Sequence, residues 1–148
     1  MNQYRNEIRR IMIAVNVIDG AYEQIAKKIG IKENTLALLY ALDDGKSHSQ
    51  KEICEEWLIP KTTLNTIVKE CVETGYIFLN HNNHKKQKEI CLTEKGQQFA
   101  KKILGQVYEL EACAMRNTLE VTSPRFVPAL EQFMTNLKAE ARRFYDEQ

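Results

Sequence analysis

The chain has 148 residues, of which 43% are hydrophobic and 28% charged, with a formal net charge of +1. That is enough for one domain with a substantial core, in a globular rather than a disordered or disulfide-framed class. No apolar run approaches the roughly 20 residues needed to span a bilayer, and MNQYRNEIRR has no signal-peptide pattern, so a cytoplasmic protein with no membrane partner is expected.

The opening segment predicts one long helix. Ile8, Ile11, Met12, Val15, Ile18, Tyr22, Ile25 and Ile29 recur at three and four residues, running through Gly20, where an irregularity is expected, to an end near Gly30. Such a helix far exceeds the usual mean of about 11–12 residues, and its surplus apolar stripe predicts a partner helix from another chain. Asn34 is the expected cap of a second helix, carrying Leu36, Leu39, Tyr40 and Leu42 and closed by the Asp43-Asp44-Gly45 turn. Lys46 to His48 reads as extended.

Residues 49–75 read as two helices joined by a tight turn. Ser49 and Glu52 form a capping box, and Ile53, Cys54, Trp57 and Leu58 line one face of the helix that follows. Pro60 lacks an N–H and suits the first position of a new helix, while biasing Ile59 away from α geometry. In the second helix, at roughly 100° per residue, Leu64, Ile67, Val68, Cys71 and Val72 form one stripe. Thr62, Asn65, Thr66 and Lys69 fall opposite, flanked by Lys61 and Thr63, and Gly75 closes the helix. Short hydrogen-bonding side chains and a cation on an outward face suit a helix that seats in the DNA major groove and reaches base edges. An amphipathic helix whose polar face simply meets water is the plainer alternative.

After Gly75 the pattern changes. Tyr76-Ile77-Phe78-Leu79 and Glu89-Ile90-Cys91-Leu92 are β-prone and flank an Asn- and Lys-rich stretch with no apolar residue, which predicts a hairpin with a cationic tip. His84, Lys85, Lys86 and Lys88 on that tip suit phosphates or an adjacent minor groove. Thr93 caps a further helix carrying Phe99, Ala100, Ile103, Leu104, Val107, Leu110 and Ala114. After the Thr122-Ser123-Pro124 break a last helix carries Phe126, Val127, Leu130, Phe133, Met134, Leu137, Ala141 and Phe144, with Pro128 either opening it or distorting its first turn. The fold class predicted is mainly α with a small β wing: a winged helix-turn-helix at 33–97 (helix pair 49–75, wing 76–92) between end segments 1–32 and 98–148. Ten Lys against seven Glu give residues 46–102 a net +3, whereas six basic and six acidic groups balance in 1–45, and five against seven leave 103–148 at −2. The cations therefore sit where phosphates are expected.

The element order, the stretches SQKEICEEW and IPKTTLNTIVKECVETGYI, and above all Leu92-Thr93-Glu94-Lys95-Gly96 resemble the MarR family of bacterial transcriptional regulators over nearly the whole chain. The resemblance implies a homodimer held by the first and last helices, with Ile8, Ile11, Met12, Val15, Leu130, Phe133, Leu137 and Phe144 at the interface. It implies two winged helices on a pseudo-palindromic operator in double-stranded DNA, with recognition helices about 34–36 Å apart. The family wing usually reads D-x-R-x-x-x-x-x-L-T. Counting back from Leu92, His84 stands at the Asp position and Lys86 at the Arg position, a departure that bears on wing specificity, since Lys mimics Arg only in part. Family members are often released from DNA by a small aromatic effector, for which Tyr22, Tyr40 and Arg9 or Arg10 are candidate lining groups.

The working expectation is a dimeric sequence-specific DNA-binding regulator, a repressor rather than an activator. Thr62, Asn65 and Thr66 read bases, Lys61, Thr63 and Lys69 hold phosphates, and Ser49 and Gln50 donate to a phosphate at their helix N-terminus. A winged-helix protein–protein adaptor without DNA binding is the alternative, supported by the near-zero charge and the altered wing. Cys54, Cys71 and Cys91 are expected as core thiols and Cys113 as the accessible one, beside Glu109 and Glu111 rather than the positive groups a redox sensor needs. His81 and His84 lack a second closely spaced ligand pair for zinc, and no nucleophile, P-loop or dinucleotide motif occurs, so neither cofactor nor enzymatic activity is expected.

Overall fold

The computed structural model describes residues 3–81 and 87–147. Helix α1 runs Arg5–Ile29, α2 Glu33–Leu42, α3 Gln50–Trp57, α4 Lys61–Glu73, α5 Glu94–Val121 and α6 Phe126–Asp146. Strands β1 (His48–Ser49), β2 (Ile77–Asn80) and β3 (Glu89–Leu92) form one antiparallel sheet in the order β1-β3-β2. The fold is therefore mainly α with a small β wing. Two compact units divide it, residues 1–108 and 109–148, the boundary falling within α5.

In the first unit the organising element is α2. Leu36, Leu38, Leu39, Ala41 and Leu42 are all buried, so this helix is apolar nearly all round and is enclosed on both sides. Its Leu38 and Leu42 join Ile53, Ile59, Leu64, Ile67, Val68, Cys71, Ile77 and Ile90, a core that ties α3 and α4 to the sheet. Its Leu36 and Leu39 join Ala26 of α1 and Ala100, Ile103, Leu104 and Val107 of α5 in a second core. Emptying either side, by Leu38→Ala or Leu39→Ala, would cost about 2–5 kcal/mol through lost contacts and a residual cavity.

Local chemistry accounts for the element ends, with several corrections to the sequence reading. No irregularity occurs at Gly20, and α1 passes straight through it. Asn34 does not cap α2, which opens one residue earlier at Glu33 behind an extended Lys32 (φ −69°, ψ 140°). There the Glu33 carboxylate meets the positive end of the helix dipole, and Lys32 Nζ reaches both Glu70 carboxylate oxygens at 3.0 Å. Pro60 sits at the N-cap rather than inside the helix. Its ψ of 138° is extended, and its carbonyl accepts the first bond of α4 from Leu64 N–H at 2.9 Å. Leu58 lies beyond α3 in the left-handed region, φ 49°, with its side chain 83% exposed instead of on the apolar stripe. Val72 and Trp57 are likewise 40% exposed, so both stripes are narrower than expected.

The end of α4 is a Schellman motif. Gly75, at φ 79°, donates to Val72 O at 3.1 Å, and Tyr76 N–H reaches back to Cys71 O at 2.9 Å. The chain then enters β2, which pairs with β3 in the register Ile77↔Leu92 and Asn80↔Glu89. β1 adds His48↔Ile90 on the other side of β3, a pairing the extended Lys46–His48 stretch did not reveal. In the second unit, the end of α5 is followed by α6. Pro128 falls in the first turn of α6, where its missing N–H has no intrahelical acceptor to lose, so the helix opens at Phe126 without distortion. No residue of α6 is buried.

Candidate nucleic-acid interface

The capping box expected at Ser49 forms in full. Ser49 Oγ accepts from Glu52 N–H at 3.1 Å while a Glu52 carboxylate oxygen accepts from Ser49 N–H at 3.0 Å. This fixes where α3 begins, and the α3–α4 packing then fixes α4. Leu64, Ile67, Val68 and Cys71 of α4 point into the core, which obliges the opposite face to point outward. Lys61, Thr62, Asn65, Thr66 and Lys69 are all exposed, and Thr63 is half-buried on the flank. No other segment among the described residues covers this face.

The hydrogen bonds on that face define what it offers. Thr66 Oγ1 donates back to Thr62 O at 3.1 Å, so its hydroxyl faces outward as an acceptor beside its methyl group. Gln50 Nε2 donates to Asn65 Oδ1 at 3.1 Å, joining the start of α3 to the middle of α4. Lys61 and Lys69 take part in no ion pair among the described residues, whereas Lys32 is paired with Glu70 and Lys51 lies 3.9 Å from Glu55. Ser49 itself is buried, its oxygen engaged in the capping box, while Gln50 is half-buried beside the exposed face. Of the wing positions, Lys88 is exposed; His84, Lys85 and Lys86 lie outside the described residues.

The Leu92–Gly96 stretch anchors the wing to the helix pair. Thr93 N–H donates to Tyr76 O at 3.0 Å, its hydroxyl donates to Gly75 O at 2.5 Å, and Thr93 Oγ1 accepts from Gly96 N–H at 2.9 Å. Lys95 Nζ donates to Thr74 O at 2.7 Å and sits 5.0 Å above the Tyr76 ring, which stacks on Phe99 at 4.3 Å. Gly96 is required by proximity. A Cβ there would lie 1.9 Å from Tyr76 O.

Two open cavities border this unit. One, of about 440 Å³, is lined by Ile18, Tyr22, Ala37, Tyr40, Trp57 and Ile59 among others, so Tyr22 and Tyr40 do come together, but Arg9 and Arg10 are not at its wall. The other, of about 710 Å³, is lined by Lys46, Cys91, Leu92, Gln97, Lys101 and Tyr108 with their neighbours. Tyr40 packs against both Trp57 (5.4 Å) and Tyr108 (5.5 Å), and Tyr108 donates to Asp43 at 2.6 Å. Tyr108 was missed in the sequence, although its place one residue past Val107 on the apolar stripe of α5 marks it as flanking the core.

The thiols differ more than expected. Cys71 is buried, but Cys54 and Cys91 are half-buried and Cys113 is exposed. Desolvation, with Glu70 nearby, raises the Cys71 pKa above the ordinary thiol value, and desolvation with Glu89 does the same at Cys91. Neither thiol is activated as a nucleophile. No group of three potential metal-ligating side chains comes together among the described residues, and no described helix is long and apolar enough to cross a membrane.

The sequence profile of the MarR family matches residues 29–88, the stretch from the end of α1 to the wing. That segment is thus similar to the MarR family, and the fold is that of a winged helix. Its architecture extends beyond that segment. A MarR family regulator from Neisseria meningitidis is similar over 100% of both chains, at 21% identity and a TM-score of 0.76. AbfR of Staphylococcus epidermidis is 19% identical over 95% of this chain and 96% of its own, with a TM-score of 0.70, and a structure of overoxidized AbfR bound to DNA gives 0.64 at 20% identity, over 94% and 96%. NadR, solved in complex with 4-hydroxyphenylacetate, is 12% identical over 93% and 95%, with a TM-score of 0.71. No curated protein sequence matches the chain.

Proposed function

We propose that this chain is a member of the MarR family and a dimeric, sequence-specific DNA-binding regulator of transcription, acting as a repressor. The observation that carries this reading is the exposed α4 face. Thr62, Asn65 and Thr66 project from a helix whose other side is locked in the core, and Lys61 and Lys69, in no ion pair among the described residues, stand beside them. A helix so mounted can enter a major groove, with the threonines and asparagine against base edges and the lysines against phosphates. Thr63 and Gln50 at the α3 N-terminus add phosphate contacts, whereas buried Ser49 is committed to the capping box and does not, a correction to the sequence reading; Lys88, with His84, Lys85 and Lys86, extends the cationic set. The DNA-bound AbfR structure supports this assignment by fold.

Dimerisation accounts for apolar surface that the single chain leaves in water. Met12 is 47% exposed and Val15 37% on α1, and Leu130, Leu137 and Phe144 are 45%, 53% and 67% exposed on α6. Ile8, Ile11 and Phe133 on the same faces are half-buried. Faces of this extent mark an interface rather than ordinary surface. A second copy covers them in the proposed dimer, and sedimentation should give twice the 17.2 kDa chain mass.

The decisive test is fluorescence anisotropy with a duplex from the chain's own promoter region at two salt concentrations. The reading expects affinity that falls with salt. Lys69→Ala should weaken all duplexes and lower the slope by about one, whereas Thr62→Ala should relax preference at a single position. Salt-independent or absent binding would instead favour a winged-helix adaptor. The 440 Å³ cavity, walled by Tyr22, Tyr40 and Trp57, is suited in size and lining to an aromatic effector. Trp57 is the sole tryptophan, so titration with 4-hydroxyphenylacetate should change the intrinsic emission and release bound DNA if such a molecule is the inducer.

A further inference from the structure

The Gln50–Asn65 contact does more than join two helices. An asparagine amide is ambiguous as a reader, because it presents an acceptor on one edge and two donors on the other, and which edge faces outward decides which base it accepts. On an isolated exposed helix both orientations are open. Here a residue 15 positions earlier selects one of them. Gln50 Nε2 donates to Asn65 Oδ1 at 3.1 Å, which occupies a lone pair of that oxygen and turns Nδ2 to the opposite side.

We propose that Gln50 is a specificity-determining positioning residue: by holding Asn65 Oδ1 it makes the Asn65 amide a donor, so that one position of each half-site is read as guanine. Guanine offers two acceptors, N7 and O6, on its major-groove edge, whereas adenine offers one acceptor beside a donor. The Nδ2 hydrogens match the first pattern. Gln50 is half-buried at the start of α3, and the capping box at Ser49 and Glu52 fixes the backbone on which it stands. Thr66 does not compete for Asn65, since its Oγ1 donates to Thr62 O. This inference rests on the DNA-binding reading and adds to it a base identity and a second residue.

The test uses the full-length protein, wild type and the variants Asn65→Ala, Gln50→Ala and Gln50→Glu, each taken through selection on a randomised duplex library and then titrated by anisotropy. The wild type should prefer guanine at one position by about tenfold, and Gln50→Ala should lose that preference at the same position as Asn65→Ala while leaving the others intact. Gln50→Glu is the more discriminating variant. A carboxylate can only accept, so it binds Asn65 Nδ2 and flips the amide, and the preference at that position should move from guanine to a base with an outward amino group, adenine or cytosine. Its added charge weakens all sequences alike and leaves the relative preference readable. Unchanged melting temperatures would confirm that the fold is intact. If Gln50→Ala keeps the guanine preference, or Gln50→Glu weakens binding without changing the base, the proposal is overturned while DNA binding stands. A wild type that enriches no sequence overturns both.

Discussion

Replacing Gly96 by alanine sets two well-measured effects against each other. Gly96 lies in the first turn of α5, where alanine is favoured over glycine by about 1 kcal/mol from helix propensity alone. Against that, the new Cβ would stand 1.9 Å from Tyr76 O and 2.8 Å from Tyr76 C, both backbone atoms, when ordinary contact begins near 3.4 Å. One side must move by about 1.5 Å, the difference between the contact limit and the present distance. That movement lengthens the Thr93 N–H bond to Tyr76 O, now 3.0 Å, and slides Tyr76 off Phe99. Overpacking costs about 1–3 kcal/mol and the weakened bond about 1, so after the propensity gain the net loss should be roughly 1–3 kcal/mol. Urea denaturation at fixed protein concentration should show a midpoint lower by roughly 1 M with an unchanged slope. Gly105→Ala is the control. It lies in the same helix, a Cβ there meets nothing within 4 Å, and it should be neutral or stabilising by up to about 1 kcal/mol. If Gly96→Ala is as stable as Gly105→Ala, the close approach does not constrain this position and the reasoning fails.

Leu58→Gly should raise the melting temperature, because the left-handed backbone at φ 49° is relieved while an 83% exposed side chain gives up little burial; the expected gain is about 0.5–1 kcal/mol, and a lower melting temperature would show that Leu58 packs usefully. His48 Nε2 lies 2.9 Å from Asp44 Oδ1, and that hydrogen bond, with the Lys46 N–H, holds the Asp44 carboxyl below its ordinary 3.8. A depressed folded value means stability present above about 3.8 and lost as pH falls through the lower folded value, so wild type and Asp44→Asn should converge in urea midpoint only in that acid range. Cys71, buried and with its thiol pKa raised by desolvation, should resist Ellman's reagent until urea unfolds the chain, and Cys71→Ala should remove that late-reacting thiol; labelling of Cys71 at the rate of exposed Cys113 would show the core open there.

What could be read in advance, and what could not, divides by how far apart in the chain the interacting groups lie. The capping box at Ser49 and Glu52, the closing glycine at Gly75 and the Thr93 cap all join groups within a few residues, and such contacts are written as residue types at fixed offsets. The stripe of Leu64, Ile67, Val68 and Cys71 was legible for the same reason, since burial on a helix repeats with its turn. Leu58 was misread because a regular spacing cannot signal that the chain has already left the helix; only the left-handed backbone shows it. The pairing of β1 with β3 escaped because two residues carry no alternation to detect. At the site, periodicity was enough to place Thr62, Asn65 and Thr66 on one outward face, but it assigns positions and not atoms. On the proposed reading, whether Asn65 offers an oxygen or a nitrogen depends on Gln50, brought beside it only when α3 and α4 pack, and a base is recognised by atoms. If bases are read there, the residue types on the helix face are what point to it, while the identity of the base follows from tertiary structure.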